Sequence, residues 1–195
     1  MDTFGVPVVG IELASNMLAE AVAKHIGSSI RFIQGSATAI PIDAGAFDVV
    51  FVSQMLHHLP DLPAAMLEVR RVLTTDGVLF VRQTTLENLD SYFYQRFFPE
   101  ARSIDERRLP SREQTLAAAR SAGLSAIEPP QTVRAEVAAS SREYLQKVAT
   151  RTYSDLAMIP DESFVRGMAE LTRHVEAQPN QAWAEEVDHL ILKTD

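Results

Sequence analysis

The stretch "FDVVFVSQMLHHLP", Phe47 to Pro60, is an apolar, β-branched run that halts at Ser53 and Gln54 and then meets two adjacent histidines before a proline. A run of this kind fits a strand covered by its neighbours, and its polar end fits the carboxyl edge where open α/β sheets present side chains to ligands. The same design appears upstream in "VVGIELASNML": Val6 to Ile11 reads as a strand, Glu12 closes it, and a helical pattern follows. Ser15 is the expected N-cap, Leu18, Ala21, Val22 and Ile26 recur at helical spacing, and Gly27 offers the stop.

Working outward, Ile30 to Ile33 reads as a second strand ended by Gly35, and a loop through Pro41 and "DAG" leads into the strand Asp48 to Val52. Asp61 is placed to cap a helix in which Leu62, Met66, Val69 and Leu73 form one apolar stripe. Asp76-Gly77 then reads as a turn before a strand at Val78 to Val81. Strand and helix therefore alternate, which favours right-handed crossovers and a mostly parallel sheet with helices on both faces. Residues 84–112, rich in aromatics and arginines without a clean period, read as a lid or covering segment. Ser111 with Gln114, and Ser140 with Glu143, have capping-box spacing, the first opening a helix that ends at Gly123. Val133, Ala135 and Val137 alternate with charges as in a strand. Asp161 is the expected cap of a helix carrying Phe164, Met168, Leu171 and Val175, and Val187 to Leu192 reads as a last strand.

Composition narrows the function classes. A chain of 195 residues suits a single domain, able to bury roughly 70% of its unfolded surface. Its 26 acidic residues against 18 basic ones give a net charge of −8, a field that repels phosphate backbones and argues against nucleic acid as a partner. The absence of cysteine excludes disulfides and thiolate chemistry and fits a reducing cytoplasm. No apolar run is long enough to span a membrane, and the N-terminus lacks the charge and continuity of a signal peptide.

An acidic side chain closing a strand can accept hydrogen bonds from both hydroxyls of a ribose, which singles out Glu12; a carboxylate stabilised by the following helix dipole is the equally weighted alternative. The small residues of "QGSATAIPI" would let a flat ring approach the backbone, with Ser36 as the polar contact. His57 and His58 are candidate bases or packed histidines; as sequence neighbours they point apart, and no metal-ligand spacing surrounds them.

Taken together, "VVGIELASNMLAEA", "IRFIQGSATAIPIDAGAFDVVFVSQMLHHLPD" and "AAMLEVRRVLTTDGVLFV" resemble the class I S-adenosylmethionine-dependent methyltransferases, in the small-molecule branch related to ubiquinone and menaquinone methyltransferases. The resemblance runs from about Gly5 to Arg82. It implies a Rossmann-like fold and S-adenosylmethionine as cofactor, with Glu12 on the ribose, Leu13 and Met17 lining the adenine, Ser36 and Ala37 at the adenine edge, and Ser53 and Gln54 bordering the methionine. Many relatives carry aspartate where Ser36 stands, which implies a weaker or different adenine contact here.

Family members also place a strand, a glycine-rich loop and a helix ahead of this region, and that strand normally lies between the two read at Val6–Ile11 and Asp48–Val52. Its absence from these 195 residues would leave a gap of roughly two strand spacings, about 10 Å. The strands would close up, another chain would fill the place, or the sequence would be a piece of a longer protein; a homodimer is the expected assembly if the chain folds. Two functions follow: methyl transfer to a small-molecule acceptor with His57 or His58 as candidate base, or a non-catalytic methyltransferase-like protein that binds a protein partner. A nicotinamide-dependent oxidoreductase would need the same glycine turn and leaves "HHLPD" to "TTDG" unexplained.

Overall fold

The computed structural model describes residues 5–25 and 30–195; Ile26 and the expected helix stop at Gly27 lie outside the described residues. Strand β1 (Val8–Glu12) pairs in parallel with β2 (Ile30–Gln34), Glu12 standing opposite Gln34. Between them runs helix α1 (Ser15–Lys24), whose N-cap is Ala14 and not Ser15. The reason is local: Glu12 Oε1 accepts the Ala14 N–H at 2.9 Å and organises the turn ahead of the serine.

Strand β3 (Phe47–Ser53) pairs in parallel with β4 (Leu73–Gln83). The expected turn at Asp76-Gly77 is instead an irregularity inside one long strand. Phe47 stands opposite Leu73 and Val49 opposite Val78, so Thr74–Gly77 bulges opposite Asp48. Glycine is needed there, since a Cβ at position 77 would lie 2.9 Å from the Leu73 Cβ and 3.0 Å from the Thr74 carbonyl. Helix α2 (Leu62–Val72) joins the two strands, and Asp61 caps it as expected by accepting the Ala64 N–H at 2.9 Å. From α2, Arg71 donates to the carbonyls of Ile40 (2.8 Å) and Ile42 (2.7 Å), while Glu68 accepts the Ile40 N–H at 2.7 Å. The loop from β2 to β3 is thereby tied to this helix.

After β4 the chain passes through two short 3-10 turns and helices α3 (Pro99–Arg108) and α4 (Arg112–Ser121), then β5 (Leu124–Ala126), β6 (Gln131–Ala138), α5 (Ser141–Ala149), α6 (Ser154–Met158), α7 (Asp161–Val175) and β7 (Trp183–Thr194). The capping box at Ser111 and Gln114 is formed on both sides. Gly123 follows α4 at φ +80°, a left-handed turn suited to glycine. Asp161 is the first residue of α7 rather than its cap; Pro160 takes that place, and the Asp161 carboxylate pairs with Arg151 at 2.8 Å.

The α/β class is the expected one, but the sheet is less parallel than its strand and helix alternation suggests. Returning strand β7 runs antiparallel to β4 on one edge and to β5 and β6 on the other, so antiparallel pairings outnumber parallel ones. Helices α2 and α4 cover one sheet face around Val52, Leu79, Val81, Leu190 and Leu192. On the opposite face, in place of the expected second helical layer, Val49 and Phe51 remain 59% and 60% exposed. A second core gathers Tyr94, Phe98, Tyr144, Leu156, Leu171 and Trp183. The β1–β2 pair forms its own small sheet: among the described residues β1 pairs only with β2, and β3 only with β4. The two strands expected to flank a missing neighbour have not closed up on each other.

Candidate active site

Parallel pairing of β1 and β2 sets their carboxyl ends side by side, and the chain laces them there. The Gly35 N–H donates to the Glu12 carbonyl at 3.0 Å, and Gln34 Nε2 to the Leu13 carbonyl at 3.1 Å. One oxygen of Glu12 is held by Ala14, while the other has no protein partner among the described residues. Beside it Leu13 and Met17 are 68% and 51% exposed, an apolar surface with little covering it. The Ser36 hydroxyl is engaged inside its own turn, with Thr38 Oγ1 at 2.8 Å and the Thr38 N–H at 3.2 Å. This edge thus offers an open carboxylate oxygen and an exposed apolar shelf, and the residues present fit a ribose and a flat base.

At the carboxyl end of β3, Ser53 pairs in register with Arg82, and the next residue, Gln54, adopts φ +49°. A left-handed non-glycine residue costs roughly 1–2 kcal/mol, and bonds from both ends of the Gln54 amide hold it. Its Oε1 accepts the Thr84 N–H at 2.9 Å, its Nε2 donates to Thr84 Oγ1 at 3.0 Å, and Thr84 Oγ1 lies 2.9 Å from the Tyr92 hydroxyl.

Gln54, His57 and His58 form one wall of a cavity of about 340 Å³. Glu12, Leu13, Met17, Ser36, Ala37 and Ser53 do not line it. Gln83 Oε1 accepts the Leu56 N–H at 3.1 Å, which makes Nε2 its donor end. Nε2 faces His57 Nδ1 at 3.2 Å, so the neutral ring carries its proton on the other nitrogen. Burial, with the charges of His58 and Arg108, lowers the His57 pKa to about 3. Burial and Arg108 lower that of His58 as well.

The opposite walls hold residues that the sequence reading did not single out. Asp105 and Asp155, both buried, share the Gln95 amide at 2.7 and 3.1 Å. Arg108 pairs with Asp105 at 2.7 Å, and the Tyr94 hydroxyl donates to Asp155. Burial and the neighbouring Asp155 raise the Asp105 pKa against the pull of Arg108. Farther along, the Tyr153 hydroxyl donates to Glu185 Oε1 at 2.6 Å, and Lys147 stands 5.4 Å over the Tyr153 ring. Burial raises the Glu185 pKa although Tyr153 and Lys147 favour its charged form. Burial likewise pushes Tyr92, Tyr94 and Tyr153 upward, so these phenols stay protonated. A usable signal existed at Glu185: Trp183, Glu185 and Val187 share one face of β7, placing a carboxylate where alternation calls for an apolar residue.

Residues 1–81 match the methyltransferase domain family. Over this amino-terminal stretch the chain is similar to the class I S-adenosylmethionine-dependent methyltransferases. Over 88 residues it is 35% identical to the demethylmenaquinone methyltransferase of Lactococcus lactis, a stretch covering 44% of this chain and 35% of that protein. Among solved structures, a protein described as a methyltransferase of an antibiotic biosynthesis pathway from Anabaena variabilis superposes with a TM-score of 0.73 at 15% identity, covering 98% of this chain and 82% of that one. The Haemonchus contortus phosphoethanolamine N-methyltransferase 2, solved with S-adenosylhomocysteine, gives 0.56 at 17% identity, covering 98% and 44%. Identities this low establish the shared Rossmann-like fold, and the homologue spans well under half the length of the curated relative it matches. S-adenosylmethionine is the cofactor of the family. Among the described residues no helix is long and apolar enough to cross a membrane, and no cluster of side chains has the makings of a metal site.

Proposed function

We propose that this chain belongs to a methyltransferase that moves a methyl group from S-adenosylmethionine to a small acceptor bound in the Gln54 cavity, in the cytoplasm. The observation that carries the reading is the succession of features at the sheet's carboxyl edges. A carboxylate and an apolar shelf suited to a nucleoside stand at β1 and β2, and the strained Gln54 at the end of β3 opens onto a half-open cavity whose apolar walls carry several polar side chains. Glu12 would accept the ribose hydroxyls, Leu13 and Met17 would cover the base, Ser36 and Ala37 would meet its edge, and Ser53 and Gln54 would border the methionine part. When bound, the cofactor supplies a methyl group already activated on a sulfonium. The protein's task is then to position an acceptor in line and to remove its proton. Residues 84–112 act as the cover, since Tyr92, Tyr94, Asp105, Arg108 and Leu109 all reach the cavity from that segment.

Calorimetry on the purified chain tests this reading. Heat is expected with S-adenosylmethionine, and Glu12→Ala should weaken binding by about tenfold or more, the worth of one or two hydrogen bonds to a charged group. A folded chain that gives no heat would refute it.

The outer edges of β1 and β3, unpaired among the described residues, and the open Val49–Phe51 face favour a second reading, in which the chain acts through a protein partner or a strand-exchanged homodimer. Sedimentation distinguishes the two, because a monodisperse monomer at high concentration counts against association.

A further inference from the structure

We propose that Glu185 takes the proton of an acceptor bearing an acidic hydroxyl, a phenol or an enol, and that Arg82 and Lys147 hold the resulting oxyanion. The inference rests on the cavity being the acceptor site.

Three observations carry it. First, Glu185 is anchored at one oxygen only. Tyr153 holds Oε1, whereas Oε2 has no hydrogen-bond partner among the described residues and is not sealed in the interior, and Glu185 lines the cavity. Second, the other carboxylates of the wall are committed. Asp105 is tied to Arg108 and Gln95, and Asp155 takes the Tyr94 hydroxyl on both oxygens, at 3.1 and 2.9 Å. His57 accepts at Nδ1 from Gln83 and is depressed to about 3, which makes it a poor proton acceptor at neutral pH. Third, the two cations nearest Glu185 are spare. The side chains of Arg82 and Lys147 line the cavity, act on the Glu185 charge, and among the described residues make neither a hydrogen bond nor a salt bridge, Lys147 touching only the face of the Tyr153 ring. Once Glu185 has taken a proton, Arg82 and Lys147 stand against the Asp155 carboxylate alone, which leaves one positive charge for an oxyanion to neutralise.

In the step itself the acceptor oxygen forms its bond to the methyl carbon as the carbon–sulfur bond breaks and leaves its electron pair on sulfur. The hydroxyl proton passes to Glu185 Oε2 and later to solvent. A desolvated carboxylate with a raised pKa is a stronger base than an exposed one, which suits an acidic hydroxyl but not an alkyl alcohol. The titratable and charged groups facing Glu185 are Tyr153 and Asp155, Tyr144 and Lys147 of α5, Arg82 of β4, and Tyr92.

The test reads proton linkage rather than turnover, with 4-nitrophenolate as the probe. The probe is titrated calorimetrically into the intact chain, at a pH where the free probe is ionised, in two buffers of different ionisation enthalpy. Binding should draw close to one proton per ligand into the wild-type protein, shared between the phenol oxygen and Glu185. Glu185→Gln preserves an acceptor for Tyr153 and should bind the phenolate with almost no proton uptake. Arg82→Met should weaken binding by about tenfold or more. Equal uptake by wild type and Glu185→Gln would overturn the proposal, and so would a wild-type chain that binds S-adenosylmethionine but not the probe. A chain that binds neither would refute the methyltransferase reading as well, so the two failures are distinguishable.

Discussion

Gln54 carries two opposed energies that two substitutions separate. Its left-handed backbone is unfavourable by roughly 1–2 kcal/mol for any residue with a Cβ, and its amide supplies the acceptor for the buried Thr84 N–H at 2.9 Å. Removing that acceptor leaves a buried donor unpaired, at a cost of about 1–3 kcal/mol. The bond to Thr84 Oγ1 matters less, because the Tyr92 hydroxyl still reaches that atom at 2.9 Å. Gln54→Ala should therefore destabilise by about 2 kcal/mol, since it loses the amide and keeps the strain. Gln54→Gly loses the same amide but relieves the backbone. The relief is offset in part by about 0.4–1 kcal/mol of extra unfolded-state entropy, which leaves the glycine variant about 0.5–1 kcal/mol more stable than the alanine one. Urea unfolding followed by far-ultraviolet circular dichroism and by the fluorescence of Trp183, the chain's one tryptophan, measures both. Equal midpoints for the two variants would refute the strain argument. Parental stability in both would refute the accounting at Thr84. The residue strained for position is also the one that opens onto the cavity, as expected where a functional site dictates local geometry.

Two further outcomes follow from charge. Asp188 is fully buried and accepts from Arg112 twice at 2.9 Å and from Thr85 and Thr132 at 2.8 Å, joining β7 to α4, β6 and the segment after β4. Burial alone would raise its pKa; the Arg112 guanidinium and the hydroxyls outweigh it and hold the value below the ordinary 3.8. Its stabilisation is therefore present above that value and is lost as pH falls through the lower folded-state pKa. Arg112→Ala strands the carboxylate and should cost about 3 kcal/mol in urea unfolding at neutral pH, while Asp188→Asn should lose the acid dependence that this group contributes. His57 has the opposite chemistry with the same sign. Its pKa falls from 6.5 to about 3 on folding, so the unfolded chain binds the extra proton between those values, and stability declines as pH drops from 6.5 toward 3. Replacing His57 with asparagine should flatten that part of the profile measured by thermal unfolding; an unchanged slope would contradict the buried, neutral ring.

Much of the amino-terminal half was legible in the sequence because its signals are local. The apolar runs read at Val6–Ile11, Ile30–Ile33 and Asp48–Val52, which fold within a residue or two as β1, β2 and β3, and the caps at Asp61 and Ser111 depend on residues a few positions apart, and the polar stops at Glu12 and Ser53–Gln54 lie on the same short segments. Locality also explains the small errors: Glu12 organises the turn that Ser15 was expected to cap, and Pro160 precedes Asp161 at the start of α7.

Tertiary structure decided the sheet's antiparallel half and the cavity. Only the folded chain brings Gln54, Arg82, Tyr153 and Glu185 to one space, because each comes from a different element and sequence periodicity carries no record of which elements meet. The free oxygen on Glu185 and the uncommitted cations beside it are likewise products of packing. Whether a charge is spare depends on which partners the fold has placed within hydrogen-bonding reach, and no local pattern encodes that distance.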